Sequence, residues 1–200
     1  MGKRLRIAVN TRLLQRGRLE GIGWFTYETF KRIVAKHPEH DFIFLFDRPF
    51  DNSYKFADNV QCVKLGPPAR HPLLYRIWFN YSIPRLLKKH RADVFISPDG
   101  YLSLRTTVKQ IAVMHDLNFE HFPNDLPKVH RDYYLKFFPR FARRADRIVT
   151  VSEFSKNDIN KQYGVSLDRI DVAYNGVSDA FYSQTSENVN DGRPYFLSVG

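Results

Sequence analysis

Lys109-Gln110-Ile111-Ala112-Val113-Met114-His115-Asp116 is the stretch whose reading decides the fold. Ile111 to Met114 is apolar without alternation and stops at a polar pair. A strand that is apolar on both faces needs cover on both faces, the condition of a parallel sheet between helical layers. The pattern recurs downstream. Pro127 to Ala145 places Tyr134, Phe137, Phe138, Phe141, Ala142 and Ala145 at helical spacing with the arginines opposite, and Pro139 is expected to bend that helix. Arg147 to Val151 is another short apolar strand. Either Ser152 or a box of Ser155 and Asp158 can cap the helix after it, and Gly164 closes that helix. Ile170 to Tyr174 reads as a further strand, stopped by Asn175–Gly176.

Working upstream, Leu5 to Asn10 is a strand, followed by a polar loop rich in Arg and Gly and a helix from Ile22 to Lys36. Strands are expected at Asp41 to Asp47, Val60 to Leu65 and Asp93 to Ser97. A helix from Leu73 to His90 should be interrupted or kinked at Pro84, where an amide donor is missing. Strands alternating with helices predict an α/β fold with a doubly wound, mainly parallel, Rossmann-like sheet. After Asn175 the character changes. Residues 183–194 are polar and turn-rich, as in a linker, and 195–200 open a new apolar strand, so a second domain is expected to start there.

The chain has 200 residues, 43% hydrophobic and 15% aromatic, enough for a core without disulfide or metal staples. Its apolar runs are strand-sized, far short of the roughly 18 to 20 residues of a membrane span. Asn10 to Arg12 breaks the first run before it could form a signal-peptide core, so export is not expected. Cys62 is the only cysteine, which rules out an intrachain disulfide and fits a cytoplasmic setting. The seven histidines show no HExxH pattern, and neither a catalytic metal nor a resident cofactor is expected.

A net charge of +10 asks for an anionic partner: nucleic acid, an acidic membrane surface or a phosphorylated small molecule. The basic clusters Lys3/Arg4/Arg6, Arg12/Arg16/Arg18, Lys88/Lys89/Arg91 and Arg140/Arg143/Arg144/Arg147 carry no RNA-recognition or zinc-finger signature. Solvated helix faces account for most of this charge.

In a doubly wound sheet the ligand crevice lies beyond the carboxyl ends of the strands. The residues to weigh are therefore Asn10–Thr11–Arg12, Asp47, Ser97–Pro98–Asp99–Gly100, His115–Asp116, Ser152–Glu153 and Asn175–Gly176. Gly21–Ile22–Gly23 stands at a helix start, where free amides favour a phosphate, although the same residues also read as a flexible turn. The full Gly-x-Gly-x-x-Gly is missing, which argues against a nicotinamide enzyme even with Asp47 ending the second strand. No Gly-x-Ser-x-Gly elbow is present, so a serine hydrolase is disfavoured. His115 can hydrogen-bond a substrate hydroxyl or move a proton near neutral pH; alternatively, His115 and Asp116 satisfy loop backbone.

Taken in order, Ile7–Ala8–Val9–Asn10, Gly21–Ile22–Gly23–Trp24–Phe25, Ala92–Asp93–Val94–Phe95 and Val113–Met114–His115–Asp116–Leu117 form a recognisable set. It continues through Ile148 to Ser155, Val172 to Val177 and Phe196 to Gly200. The set resembles the N-terminal half of the family-four retaining glycosyltransferases (glycosyl transferases group 1), which have a GT-B fold of two facing Rossmann-like domains. The resemblance implies an acceptor-side domain over 1–182, a linker over 183–194, and the first strand of a C-terminal donor-binding domain over 195–200. It implies transfer from a nucleotide-diphosphate sugar to a glycan, lipid or small-molecule acceptor, with retention and no required metal. Gly21, Gly23, Asp116 and Ser152 would contact the donor, and His115 would be catalytic. Arg12, Asp99 and Tyr101 would contact the acceptor. The partners implied are the donor, an unidentified acceptor and the remaining domain of the same protein, with room for peripheral contact at an anionic membrane and no nucleic acid expected. The alternative is a non-catalytic basic module that binds nucleic acid or anionic membrane.

Overall fold

The computed structural model describes residues 3–177. The expected linker at 183–194 and the strand at 195–200 lie outside the described residues. Seven strands form one sheet: β1 (Arg6–Asn10), β2 (Asp41–Phe46), β3 (Val60–Lys64), β4 (Val94–Ser97), β5 (Lys109–Val113), β6 (Arg147–Thr150) and β7 (Ile170–Val172). Their order is β3-β2-β1-β4-β5-β6-β7 and every neighbouring pair is parallel. The strands are Rossmann-like in winding, and the order reverses between β1 and β4, where Ile7 to Val9 align with Val94 to Ile96.

Successive residues of a strand face opposite sides, so two cores form. On one face Val9, Phe42, Phe44, Phe46 and Val60 pack with Phe30 and Val34 of helix α1 (Gly21–Lys36). On the other, Ala8, Phe95, Ala112 and Ile148 lie under α2 (Pro72–Ile77), α3 (Ile83–Lys89), α5 (Lys128–Arg144) and α6 (Glu153–Tyr163). A short α4 (Asn118–His121), which sequence periodicity did not suggest, connects β5 to α5. Among the described residues no helix is long and apolar enough to cross a membrane.

Two local expectations need correction, and the alternatives for the α6 cap resolve to one. The expected helix 73–90 is interrupted before Pro84 rather than at it: α2 and α3 are joined by a π-helical turn at Trp78–Ser82, in which the Ile83 amide bonds back to the Trp78 carbonyl. Pro84 has no N–H to give the preceding turn, and the helix widens there to accommodate the ring. The turn seats Trp78 in the core, where its Nε1 donates to the Leu65 carbonyl at 2.8 Å. In α5, which continues helically across Pro139, Tyr133 is buried more deeply than the expected Tyr134. For α6 the cap is Ser152, whose Oγ accepts from the Ser155 amide at 3.0 Å; Asp158 instead faces His121 at 2.7 Å. Gly164 ends α6 at φ 67°, as expected of a left-handed cap.

Candidate functional site

The reversal of strand order brings the loops after β1 and β4 together at one end of the sheet. Asn10 Nδ2 donates to Ser97 Oγ at 3.0 Å and to Asp99 Oδ1 at 2.8 Å, and Ser97 Oγ donates to the same Asp99 oxygen at 2.9 Å. The other carboxylate oxygen of Asp99 receives Arg12 Nε at 2.7 Å. Arg12 also lies over the rings of Tyr101, at 4.8 Å, and Tyr75, at 5.3 Å. Burial works against its charge, but the Asp99 carboxylate and the two tyrosines outweigh that, so the guanidinium holds its proton more firmly than an exposed arginine. Gly100 turns this loop at φ 80°, with Phe138 and the Val113 carbonyl close to where a side chain would begin.

Outside this network lies a cleft of about 650 Å³, lined by Arg12, Arg18, Glu20, Gly21, Gly23, Arg48, Arg70 and Tyr75 among others. It is lined by Gly21 to Gly23 at the start of α1, which has no side-chain cap and no acidic residue in its first turn, so the first amides of α1 have no side-chain acceptor. Arg48 is held by both oxygens of the buried Asp47, at 2.6 and 2.8 Å, and Asp47 also accepts from the Ala69 amide. Asp47 is thus committed to its own chain, and it takes up Nε and Nη2 of Arg48. Arg70 is exposed and forms no ion pair among the described residues.

His115 follows β5, half-buried, with Nε2 2.9 Å from the Pro98 carbonyl. A carbonyl can only accept, so Nε2 carries the proton in this bond, and in the neutral ring Nδ1 keeps its lone pair. The ring stands edge-on to Phe25 of α1, with centroids 4.8 Å apart, and the His115 carbonyl accepts from Ser155 Oγ. His115 is therefore tied to β4, α1 and α6 at once. Asp116 is exposed and accepts from the Asn118 amide at 2.9 Å, starting α4.

Of the three expected acceptor residues, only Arg12 lines the cleft; Asp99 and Tyr101 are buried beneath it and act on it through Arg12. Gly21 and Gly23 both line it but differ in kind. A Cβ at Gly21 would meet nothing, whereas one at Gly23 would come within 2.9 Å of the Leu13 carbonyl. Ser152 follows β6 and caps α6, with β4 and β5 between it and the β1 loop that lines the cleft. Sequence reasoning missed Tyr75, Arg48 and Arg70 as cleft residues; the signals for them were the strand-end Asp47 beside Arg48 and the basic, acid-free run in which Arg70 and Tyr75 lie. Among the described residues no three His, Cys, Asp or Glu side chains gather as metal ligands.

The profile of Glycosyltransferase Family 4 matches residues 19–181. The chain is 33% identical over 130 residues to the O-antigen chain mannosyltransferase RfbU of Salmonella typhimurium, an alignment covering 64% of this chain and 35% of that protein. The fold is similar to that of Anabaena HepE, solved in complex with UDP and glucose, with a TM-score of 0.55, 14% identity, and coverage of 91% of this chain and 47% of that one. It is likewise similar to the lipopolysaccharide outer core galactosyltransferase WaaB, with a TM-score of 0.53, 16% identity, and coverage of 87% and 46%. The match spans about a third of the RfbU sequence and about half of each solved chain.

Proposed function

The chain belongs to Glycosyltransferase Family 4, and from that premise we propose that it is the acceptor-side half of an enzyme that transfers a sugar, with retention, from a nucleotide-diphosphate donor to a glycan, lipid or small-molecule acceptor. The observation that carries this reading is the cleft itself: it lies beyond the carboxyl ends of β1 and β2, next to the switch point of the sheet, and it combines an uncapped helix start with the guanidinium groups of Arg12, Arg48 and Arg70. When the bond between the anomeric carbon and the diphosphate breaks, negative charge collects on the departing phosphate. Fixed amides and guanidinium groups stabilise that charge without reorganising. In this reading the diphosphate meets the first turn of α1 at Gly21 and Gly23, with no metal required, and Asp116 and Ser152 stand on the donor side. His115 is the catalytic residue, its Nδ1 accepting a hydroxyl of the donor sugar or, when protonated, donating to an oxygen that gains charge. The acceptor enters along Arg12, whose side chain Asp99 and Tyr101 hold in place. Both faces of the reaction centre need a second domain, so the 200-residue chain alone is read as inactive, and the enzyme as one of the cytoplasmic side of a membrane.

The test is a screen of the complete protein against uridine- and guanosine-diphosphate hexoses with glycan, lipid and small-molecule acceptors. Transfer is expected, with the product's anomeric configuration, read by NMR, the same as that of the donor. An inverted product would refute retention, and no transfer from any nucleotide sugar would remove the enzymatic reading.

A further inference from the structure

We propose that the acceptor carries a phosphoryl group remote from the hydroxyl that is glycosylated, and that Arg48 and Arg70, together with Arg12, hold it where the segments after β2 and β3 line the cleft. The three arginines come from three loops, and Ala69 fastens those loops together. Its amide donates to Asp47 Oδ2 at 2.9 Å, and its carbonyl accepts from Arg12 Nη1 at 3.4 Å. Arg70 is the next residue, so the backbone that carries it is tied both to the clamp of Arg48 and to Arg12. The carboxylates in reach are already occupied. Both oxygens of Asp47 and both of Asp99 are bonded within the chain, and Glu20 lies 3.7 Å from Arg18. Arg48 gives Nε and Nη2 to Asp47, and its Nη1 has no hydrogen-bond partner among the described residues. Arg70 has no ion pair there, and residues 59–92 contain no Asp or Glu, so its own segment supplies none. Arg12 lines the same cleft and is only 8% exposed.

Guanidinium groups with free donors on one concave surface call for an anion with several acceptor oxygens. A carboxylate is planar and is filled by a single guanidinium fork, whereas a phosphoryl group spreads its oxygens tetrahedrally and can take donors arriving from different loops. This anion is distinct from the diphosphate of the donor. Neighbouring strands stand about 4.8 Å apart, and in the order β2-β1-β4-β5 the end of β2 lies three spacings, roughly 14 Å, from the end of β5 that leads to His115. The donor's diphosphate is bonded to the sugar carbon beside His115 and meets Gly21 and Gly23, if the chain is the acceptor-side half of a sugar transferase, the reading on which this proposal rests. A phosphoryl group held by Arg48 and Arg70 then belongs to the second substrate. The cleft runs between the two places, so that substrate is an extended saccharide with its phosphoryl group at one end and the accepting hydroxyl at the other. A soluble saccharide phosphate and a saccharide joined to a lipid through a phosphodiester share this chemistry.

The test measures binding by calorimetry on the complete protein, with UDP and GDP present to fill the donor's diphosphate site. Maltose 1-phosphate and its dodecyl phosphodiester are the probes, and maltose and maltobionate, which carries a carboxylate instead, are the controls. At least one phosphorylated probe should bind about tenfold or more tightly than either control. The better of the two probes identifies the source of the phosphoryl group, soluble or lipid-linked, and either result supports the site. Arg70→Gln should weaken that binding by about ten- to a hundredfold, the loss of a charge-assisted contact, and Arg48→Gln should do at least as much. Arg70 is exposed and unpaired, so its replacement leaves the fold intact, which circular dichroism checks. Arg16→Gln, on the same loop as Arg12 but paired with Asp51 outside the cleft, should change binding less than about threefold. Equal affinity for maltose, maltobionate and both phosphorylated probes, or an Arg70→Gln variant without effect, would overturn the proposal. So would displacement of the phosphorylated probe by UDP or GDP, which would assign these arginines to the donor. A protein that binds the probe in this way but transfers no sugar would refute the enzymatic reading and leave the anion site standing.

Discussion

Arg12 and Asp99 meet at 2.7 Å across the junction of β1 and β4, with side chains only 9% and 4% exposed. An ion pair this deep is a poor source of stability when intact, yet its loss is costly, because the surviving charge is left in a low-dielectric site without a partner. Asp99→Asn keeps the shape and removes the charge facing Arg12. It should cost about 3–5 kcal/mol in a urea titration. Arg12→Met combined with Asp99→Leu should cost less than either single change, since no charge is then stranded. If Asp99→Asn shifts stability by less than about 0.5 kcal/mol, a level typical of surface changes, the network is not structural.

Gly21 and Gly23 separate two reasons for a glycine. A methyl group at Gly23 would sit 2.9 Å from the Leu13 carbonyl, a backbone atom that moves only if the loop after β1 moves. Gly23→Ala should therefore cost about 1–3 kcal/mol, the usual range for overpacking, and should also displace the loop that carries Arg12. Gly21→Ala meets open space and should stay within about 0.5 kcal/mol. In the complete protein the reading of α1 as the diphosphate site expects donor KM to rise for Gly23→Ala. Equal stabilities for the two variants would contradict the packing around Gly23.

The sheet could be read from the sequence because its strands are unbroken apolar runs such as Phe42 to Phe46, whose ends are marked by Asp, Ser or His. The strand ends also located the crevice, since parallel sheets bind at their carboxyl edge. What could not be read is pairing at a distance: Arg12 and Asp99 are 87 residues apart, and nothing local says that one answers the other. The same holds for Asp47, a free acid in sequence and the clamp of Arg48 in the fold. The π-turn before Pro84 escaped because a proline signals where a helix cannot continue regularly, but not how the chain resolves it.

Tyr101, Tyr133 and Tyr163 are buried, and burial pushes all three hydroxyls above the ordinary tyrosine range; Tyr163 is raised further by its 2.8 Å bond to Glu120. The folded state therefore keeps these protons after the unfolded chain has begun to release them, near pH ~10. Their contribution to stability is complete below that pH and is lost as pH rises above it, at about 1.4 kcal/mol per pH unit for each tyrosine. Tyrosinate absorbance should accordingly appear in two parts, the exposed rings first and the buried ones together with unfolding by circular dichroism. A single smooth titration of every tyrosine in a protein still folded would contradict their burial.

His115 anchors a loop and is proposed to act in the reaction, and one mutant measured in two ways separates the two roles. Its Nε2 bond to the Pro98 carbonyl anchors the loop after β4, and its removal should cost about 0.5–1.5 kcal/mol, the net value of one hydrogen bond. That bond leaves Nδ1 as the free ring nitrogen, and in the proposed reaction the chemical loss should be larger than the structural one. In the complete protein His115→Ala should lower kcat by about ten- to a thousand-fold, as when a partner of a reacting group is removed. His115→Gln tests the division, because an amide can still donate to Pro98 yet cannot exchange a proton near neutral pH. It should regain stability while kcat stays low. Full turnover per folded molecule in His115→Ala would make this residue an anchor of the loop and remove it from the reaction.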